Sequence, residues 1–349
     1  MRIGPIAENL LEFAAVLLRL GPRPLLETHS ALLLAQALMV ATRVGLFEAL
    51  GESPLTVSQT ASRCGTDERA TARLLRVLEA TRYVRASNDG RYAVTADARG
   101  WLLEGSPHSL HDNVLFRFVE WEWVGRLEEF VLSGRPLDIH TEMTGDQWAL
   151  YQRGMRSLAG ALAREVALRT PVPRGASAML DIGGSHGFFA VALCRRHPGL
   201  RAQILDLPEA VSQAAPILAR EGLGDRVVHR VGDARTAELG IGTYDLILIS
   251  NLIHHFDEAE SRAMIRRAAG ALRPGGLLVI QDFFPPSSTR RAGQTAALLD
   301  LYFALTSESG TRSFEELAAW EKGAGLAPRR PLRFLTFPGA GQQNAAKPR

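Results

Sequence analysis

The chain is short of cysteine, of lysine and of long apolar runs, and each shortage closes off a class of protein. Its two cysteines in 349 residues, Cys64 and Cys194, stand far apart and in no metal-type or redox-type spacing. A disulfide-stapled secreted domain and a zinc finger are poor readings of such a chain, and a reducing, cytoplasmic setting is the expectation. No charged, apolar and small-residue series of a signal peptide opens it. The longest apolar stretch, residues 31–41, is interrupted by Gln36 and flanked by His29, Ser30 and Arg43. That falls well short of the ~18–20 apolar residues of a membrane span. Among 40 basic residues only Lys322 and Lys347 are lysines, and the formal charge is just +3. Such a balance argues against a nucleic-acid-coating protein. Repeats and low-complexity tracts are missing too, apart from a short polar end from Gly341.

What is present reads as a folded protein in two parts. A composition of 46% hydrophobic and 22% charged residues suits a globular protein, and the length exceeds what one hydrophobic core usually serves. Leu32, Leu33, Ala37, Val40 and Val44 trace an apolar helical face. The spacing then predicts a helix over 55–64, a second over 68–81 capped by Asp67, and strands at 83–86 and 92–95 around Asn88, Asp89 and Gly90. Helix, turn, helix and a two-stranded wing make a winged helix. From 109 to 169 the pattern looks helical throughout, with Phe116, Val119, Trp123, Leu127 and Phe130 on one face and Phe118 and Trp121 on another.

After Pro171 and Pro173 the period changes. Short apolar runs at 179–182, 202–205, 227–231, 244–249 and 277–281 alternate with helix-length segments such as 188–196 and 258–272. That order implies a mostly parallel sheet covered on both faces. A last helix at 313–324 and an extended stretch at 332–337 would add an antiparallel edge.

The first of these strands carries Asp181 into Gly183, Gly184, Ser185, His186 and Gly187. A glycine-rich strand-to-helix turn lets a ligand approach the backbone and exposes helix amides. Asp206 closes the next strand, where a carboxylate can meet a ribose diol. Asp233, followed by Ala234, closes a third. Three such residues at successive strand ends outline a nucleoside-shaped cleft.

The series LDIGGSHG (180–187), ILDLPEAV (204–211), VGDA (231–234), YDLILISNLIHHFDE (244–258), LRPGG (272–276) and LLVIQDF (277–283) resembles the motifs of class I S-adenosylmethionine-dependent methyltransferases. With the winged helix in front, nearly the whole chain resembles the two-domain small-molecule O-methyltransferases, the plant phenolic and acetylserotonin enzymes and bacterial tailoring enzymes among them. The resemblance implies a winged-helix dimerisation domain over 1–105, a helical connector lining the acceptor pocket over 106–172, and a Rossmann-like doubly wound catalytic domain over 173–349. It implies S-adenosyl-L-methionine as cofactor, held by Asp181, Gly183, Gly184, Gly187, Asp206, Leu207, Asp233, Ala234 and Ser250, and a homodimer without metal, nucleic acid or membrane. By the same resemblance His254 is the base that deprotonates an acceptor hydroxyl, with Glu308 orienting it. The acceptor pocket would draw on His111, His140, Trp148, Met155, Asn251, His255 and Tyr302. His255 is expected to turn away from the chemistry, because neighbours on a helix point roughly 100° apart.

Three rivals remain open in the sequence. In one, the winged helix serves DNA through Arg69, Arg73 and Arg76, although Glu68 and Glu79 interleave them. The paired histidines would suit a metal-dependent C-methyltransferase of a 2-oxo acid, and a relative that binds the cofactor without transferring a methyl group is the third.

Overall fold

The structure is a computed structural model that describes residues 7, 9–18, 20–285, 293–307, 309–337 and 339–349. It divides into two compact units at Phe118/Val119, inside the helix His111–Val124.

In the N-terminal unit, helix Val57–Cys64 opens on a reciprocal cap between Thr56 and Gln59. Helix Glu68–Ala80 opens on Asp67, whose side chain accepts from the Ala70 amide at 2.8 Å. Each cap satisfies amides that the first helical turn leaves unpaired. Strands β1 (Val84–Ala86) and β2 (Tyr92–Val94) pair antiparallel across a turn in which Gly90 takes φ +76°, a conformation costly for other residues. Leu46, Phe47, Leu50, Leu75, Leu78, Val84 and Val94 close the core between helices and wing. The expected winged helix is therefore there. Ahead of it, helical backbone runs unbroken from Arg23 to Arg43, long and apolar enough by length and composition alone to cross a membrane. This exceeds the eleven-residue run apparent in the sequence. Leu32 and Leu33 on it are 49% and 56% exposed.

The stretch expected to be helical throughout is broken in three places. His111–Val124 stops at Gly125, and Leu127–Ser133 ends on Gly134 at φ +68°. After the short turn Ile139–Glu142, Thr144 and Gln147 cap a new helix, Gly145–Arg169. Phe116, Val119 and Trp123 are buried as the spacing implied, but Leu127 and Phe130, beyond the break, are only half-buried. Phe118 lies under the Arg43 guanidinium, 3.1 Å from its ring centre.

Among the described residues the C-terminal unit has eight strands: β3 (Ala178–Ile182), β4 (Arg201–Asp206), β5 (Val227–Val231), β6 (Tyr244–Ser250), β7 (Leu272–Phe283), β8 (Ala327–Pro328), β9 (Leu332–Arg333) and β10 (Ala340–Ala346). Their order is β5-β4-β3-β6-β7-β10-β8, with β9 also on β10. The first five are parallel, whereas β10 runs antiparallel to β7, β8 and β9. Leu246, Ile247, Leu248 and Ile249 are wholly buried, as a strand covered on both faces requires. Each such side chain contributes about 1.5–3 kcal/mol.

The C-terminal end corrects the sequence reading. What looked like a loose polar tail from Gly341 is β10, buried along nearly its whole length. Its amide nitrogens find partners, Gln342 Nε2 donating to Thr170 Oγ1 at 2.7 Å and to Gln281 Oε1 at 3.0 Å and Gln343 Nε2 to Glu321 at 2.9 Å, whereas Gln342 Oε1 and Asn344 Oδ1 are buried without one among the described residues. The extended stretch 332–337 forms only the two-residue β9.

Candidate active site

The parallel strands deliver their carboxyl ends to one edge of the sheet, where doubly wound folds bind ligands. Two adjoining cavities open there, of about 80 and 530 Å³. Gly183, Ser185, Tyr151 and Asn251 line both. Met155, Gly184, His186 and Ser250 add to the smaller, and His140, Trp148, Asp206, Leu207, Arg235 and His255 to the larger.

The glycine turn leaves no room for side chains. A Cβ on Gly183, at φ +67°, would stand 2.7 Å from Leu252 Cδ2, and one on Gly184 would stand 2.5 Å from the Asp181 carboxyl carbon. Ser185 takes φ +51° and Asn251 φ +50°. Non-glycine residues rarely hold that conformation, and both line the cavities. Gly187, at φ +70°, caps helix Phe188–Arg196, and its missing side chain accommodates Ile204.

Two acids stand at these strand ends: Asp206 lines the larger cavity, whereas Asp181, expected to hold the cofactor, is buried behind the glycine turn and lines neither. Asp206 accepts from the Ser185 amide at 2.7 Å and from the Leu207 amide at 2.8 Å. Its pKa is nonetheless raised, chiefly by burial. Asp181, beneath Gly184, is pushed up to about 8 by burial and by the Asp206 charge, and its Oδ1 has no partner among the described residues. Paired acids left this short of counter-charge suit a ligand bearing positive charge. A glycine floor, a carboxylate at the end of β4 and an orphaned acid together fit S-adenosylmethionine.

The histidines differ most from expectation. His254 and His255 occupy the 3₁₀ turn Ile253–His255 ahead of helix Glu258–Ala271, not that helix itself. A 3₁₀ turn rotates about 120° per residue, and the two rings stay in contact at 52° to one another. His255 lines the larger cavity, where an acceptor-pocket residue belongs, and is not turned away from it. His254 is 2% exposed, set behind that wall with its ring 4.2 Å from His255 and 4.1 Å from Phe303. Its Nδ1 lies 2.7 Å from Asp282 Oδ1. That contact assigns the proton to Nδ1 and leaves the Nε2 lone pair to accept another. Burial, followed by the neighbouring His254 and His140, holds the His255 pKa well below its usual range. His140 is lowered too, mainly by burial.

Other expected residues fall elsewhere. Glu308 lies outside the described residues. Asp233 accepts from the Arg235 amide at 2.7 Å, and Ala234 is buried with its carbonyl bonded to Arg267; neither lines either of these two cavities. Tyr302 donates to Glu120 at 2.7 Å and does not line one either. His111 belongs to the N-terminal unit, with its Nδ1 buried and unpartnered among the described residues. His186 Nδ1 accepts from the Phe188 amide, and burial first, then Arg156 and His229, lowers its pKa to about 3.

The model of the O-methyltransferase domain family matches residues 134–327, and that of the O-methyltransferase dimerisation domain matches 26–104. The chain belongs to the O-methyltransferase family. With that membership comes its class, an enzyme that uses S-adenosylmethionine as methyl donor. Among curated relatives, the 3-hydroxy-5-methyl-1-naphthoate 3-O-methyltransferase of Streptomyces sahachiroi is 27% identical, over 91% of this chain and 93% of its own. The mitomycin biosynthesis 6-O-methyltransferase of Streptomyces lavendulae is 28% identical over 85% of this chain and 87% of its own. Human N-acetylserotonin methyltransferase, solved with S-adenosylmethionine, shares the fold at a TM-score of 0.84 and 18% identity, over 99% of this chain and 100% of that one.

Several residues of this O-methyltransferase site escaped the sequence reading. Asp282 ends the apolar run of β7, the same signal that marked Asp206 on β4. Tyr151 and Gln152 sit in a helix whose pattern singles out neither. Gln152 accepts from Ser185 Oγ and so holds the strained turn from the connector side. A chain of buried amides also reaches the cavity: Gln342 donates to Gln281, and Gln281 Nε2 donates to Ser250 Oγ at 3.0 Å. Among the described residues no three His, Cys, Asp or Glu side chains gather as a metal set.

Proposed function

We propose that this enzyme methylates a hydroxyl of a small aromatic acceptor in the larger cavity, with the His254–Asp282 pair removing the proton. The observation that carries this reading is the 2.7 Å contact between His254 Nδ1 and Asp282, beside a cavity walled by Trp148, Tyr151, His140 and His255. Of the named relatives, one is a 3-hydroxy-5-methyl-1-naphthoate 3-O-methyltransferase and the other a 6-O-methyltransferase of mitomycin biosynthesis, which supports a small-molecule hydroxyl as acceptor.

S-adenosylmethionine supplies a methyl group on a positively charged sulfur. The glycine turn admits the methionine part to the backbone, and Asp206 offers carboxylate oxygens to the ribose hydroxyls. His254 Nε2 takes the acceptor proton, while Asp282 fixes the ring and stabilises the imidazolium that forms. With S-adenosylmethionine bound, its methyl carbon would be the electrophile for the deprotonated acceptor oxygen, and the electron pair of the broken C–S bond would stay on sulfur as S-adenosylhomocysteine leaves. Walls of aromatic side chains keep water from competing.

Calorimetry tests the cofactor side. Asp206→Ala should weaken binding of S-adenosylmethionine by about 1–3 kcal/mol, the loss of charge-assisted hydrogen bonds to an enclosed ligand. Unchanged affinity would remove Asp206 from the site.

We further propose a cytoplasmic homodimer formed through the dimerisation domain. Its support is the exposure of Leu32, Leu33 and Val40, an apolar face of the kind that marks interaction surfaces. Light scattering should give twice the chain mass, and Leu33→Glu should shift it towards the single chain. A wild-type monomer at micromolar concentration would contradict this.

A further inference from the structure

His140 and His255 come from separate turns and meet edge to face in the wall of the larger cavity, ring centres 4.8 Å apart and planes at 75°. Trp148 and Tyr151 enclose His140 at 5.5 and 6.1 Å. Among the described residues neither imidazole has a hydrogen-bond partner. Each is held neutral by its surroundings, so each offers one N–H and one lone pair. Polar groups in so enclosed a wall ordinarily find partners. Both are half-buried and open to the cavity, so what enters the cavity is in place to partner them.

We propose that His140 and His255 form a second oxygen-binding position, and that the acceptor is a flat aromatic with two neighbouring oxygen functions. One oxygen is methylated and the other is held by this pair. The inference rests on the functional reading above and narrows its acceptor class. Neighbouring oxygens follow from the rings: His255 stands 4.2 Å from His254, so an oxygen bound by His255 lies beside the one that gives its proton to His254. Imidazoles can donate to a carbonyl or accept from a hydroxyl, so ortho-diols and ortho or peri hydroxy-ketones both qualify. A lone phenol leaves both imidazoles unpaired, and sites built to bond a polar group reject analogues lacking it.

The test compares 2,3-dihydroxynaphthalene with 2-naphthol, as binding to the enzyme saturated with S-adenosylhomocysteine and as kcat and KM for methyl transfer. The diol should bind at least about tenfold more tightly. His255→Phe and His140→Phe, which keep the ring shape, should each cut that advantage to under about threefold, chiefly through KM, and His255→Gln should restore part of it. Unchanged affinity for S-adenosylhomocysteine would show that the variants fold. Equal losses for both naphthalenes, or no preference in the wild-type enzyme, would overturn the proposal while methyl transfer stands. Absence of both methyl transfer and S-adenosylhomocysteine binding would take the functional reading down with it.

Discussion

Replacing His254 by alanine should lower turnover by roughly 10²–10⁴-fold and leave cofactor affinity nearly unchanged, because a general base acts on the chemical step. The loss should be greatest with acceptors still protonated at the assay pH. It should shrink as pH rises towards the acceptor's own pKa, where solvent has already removed the proton. Asp282→Asn keeps the volume but gives up the carboxylate that fixes the Nδ1 proton at 2.7 Å. It should cost about one to three powers of ten in kcat. A His254→Ala enzyme with normal turnover would mean that positioning alone drives the transfer, whereas loss on His255→Ala alone would move the base to the ring that faces the cavity.

The second large effect concerns stability. Glu321, on helix Phe314–Gly323, is fully buried against β10, with one oxygen bonded to Gln343 and the other unpartnered among the described residues. Burial pushes its pKa from 4.5 up to about 8. A carboxyl whose folded pKa exceeds its unfolded value gives stability that is complete below the unfolded pKa and is lost as pH rises through the folded one. Between about pH 5 and pH 9 this group should withdraw on the order of 2–4 kcal/mol. Glu321→Gln removes the titration, so its melting temperature should exceed that of the wild type by several degrees at the alkaline end and converge with it at the acid end. Parallel curves would show that Glu321 is not the group responsible.

Much of the fold was legible because parallel strands write themselves as apolar runs. The run 244–249 became β6 almost residue for residue, and the turn residues Asn88, Asp89 and Gly90 located the wing. The cofactor edge was legible for the same reason, since Asp206 and the glycines stand where an apolar run stops. β10 was not, because Gln342, Gln343 and Asn344 look solvated until Thr170, Gln281 and Glu321 are seen opposite them. The His254–Asp282 pair also lay beyond the sequence, since its members are 28 residues apart and meet only because β6 and β7 are neighbours. A single 3₁₀ turn stands where an α-helix was assumed, and no residue type in 253–255 announces it.

The central claim is methyl transfer from S-adenosylmethionine to an aromatic hydroxyl. Incubation of the purified enzyme with donor carrying a trideuterated methyl group and with 2,3-dihydroxynaphthalene tests it most directly, by mass spectrometry and magnetic resonance of the product. The account requires one labelled methyl group on oxygen and one equivalent of S-adenosylhomocysteine for each molecule formed. Label on a ring carbon, or binding of the donor with no label transferred to this diol or to other hydroxylated arenes, would contradict it.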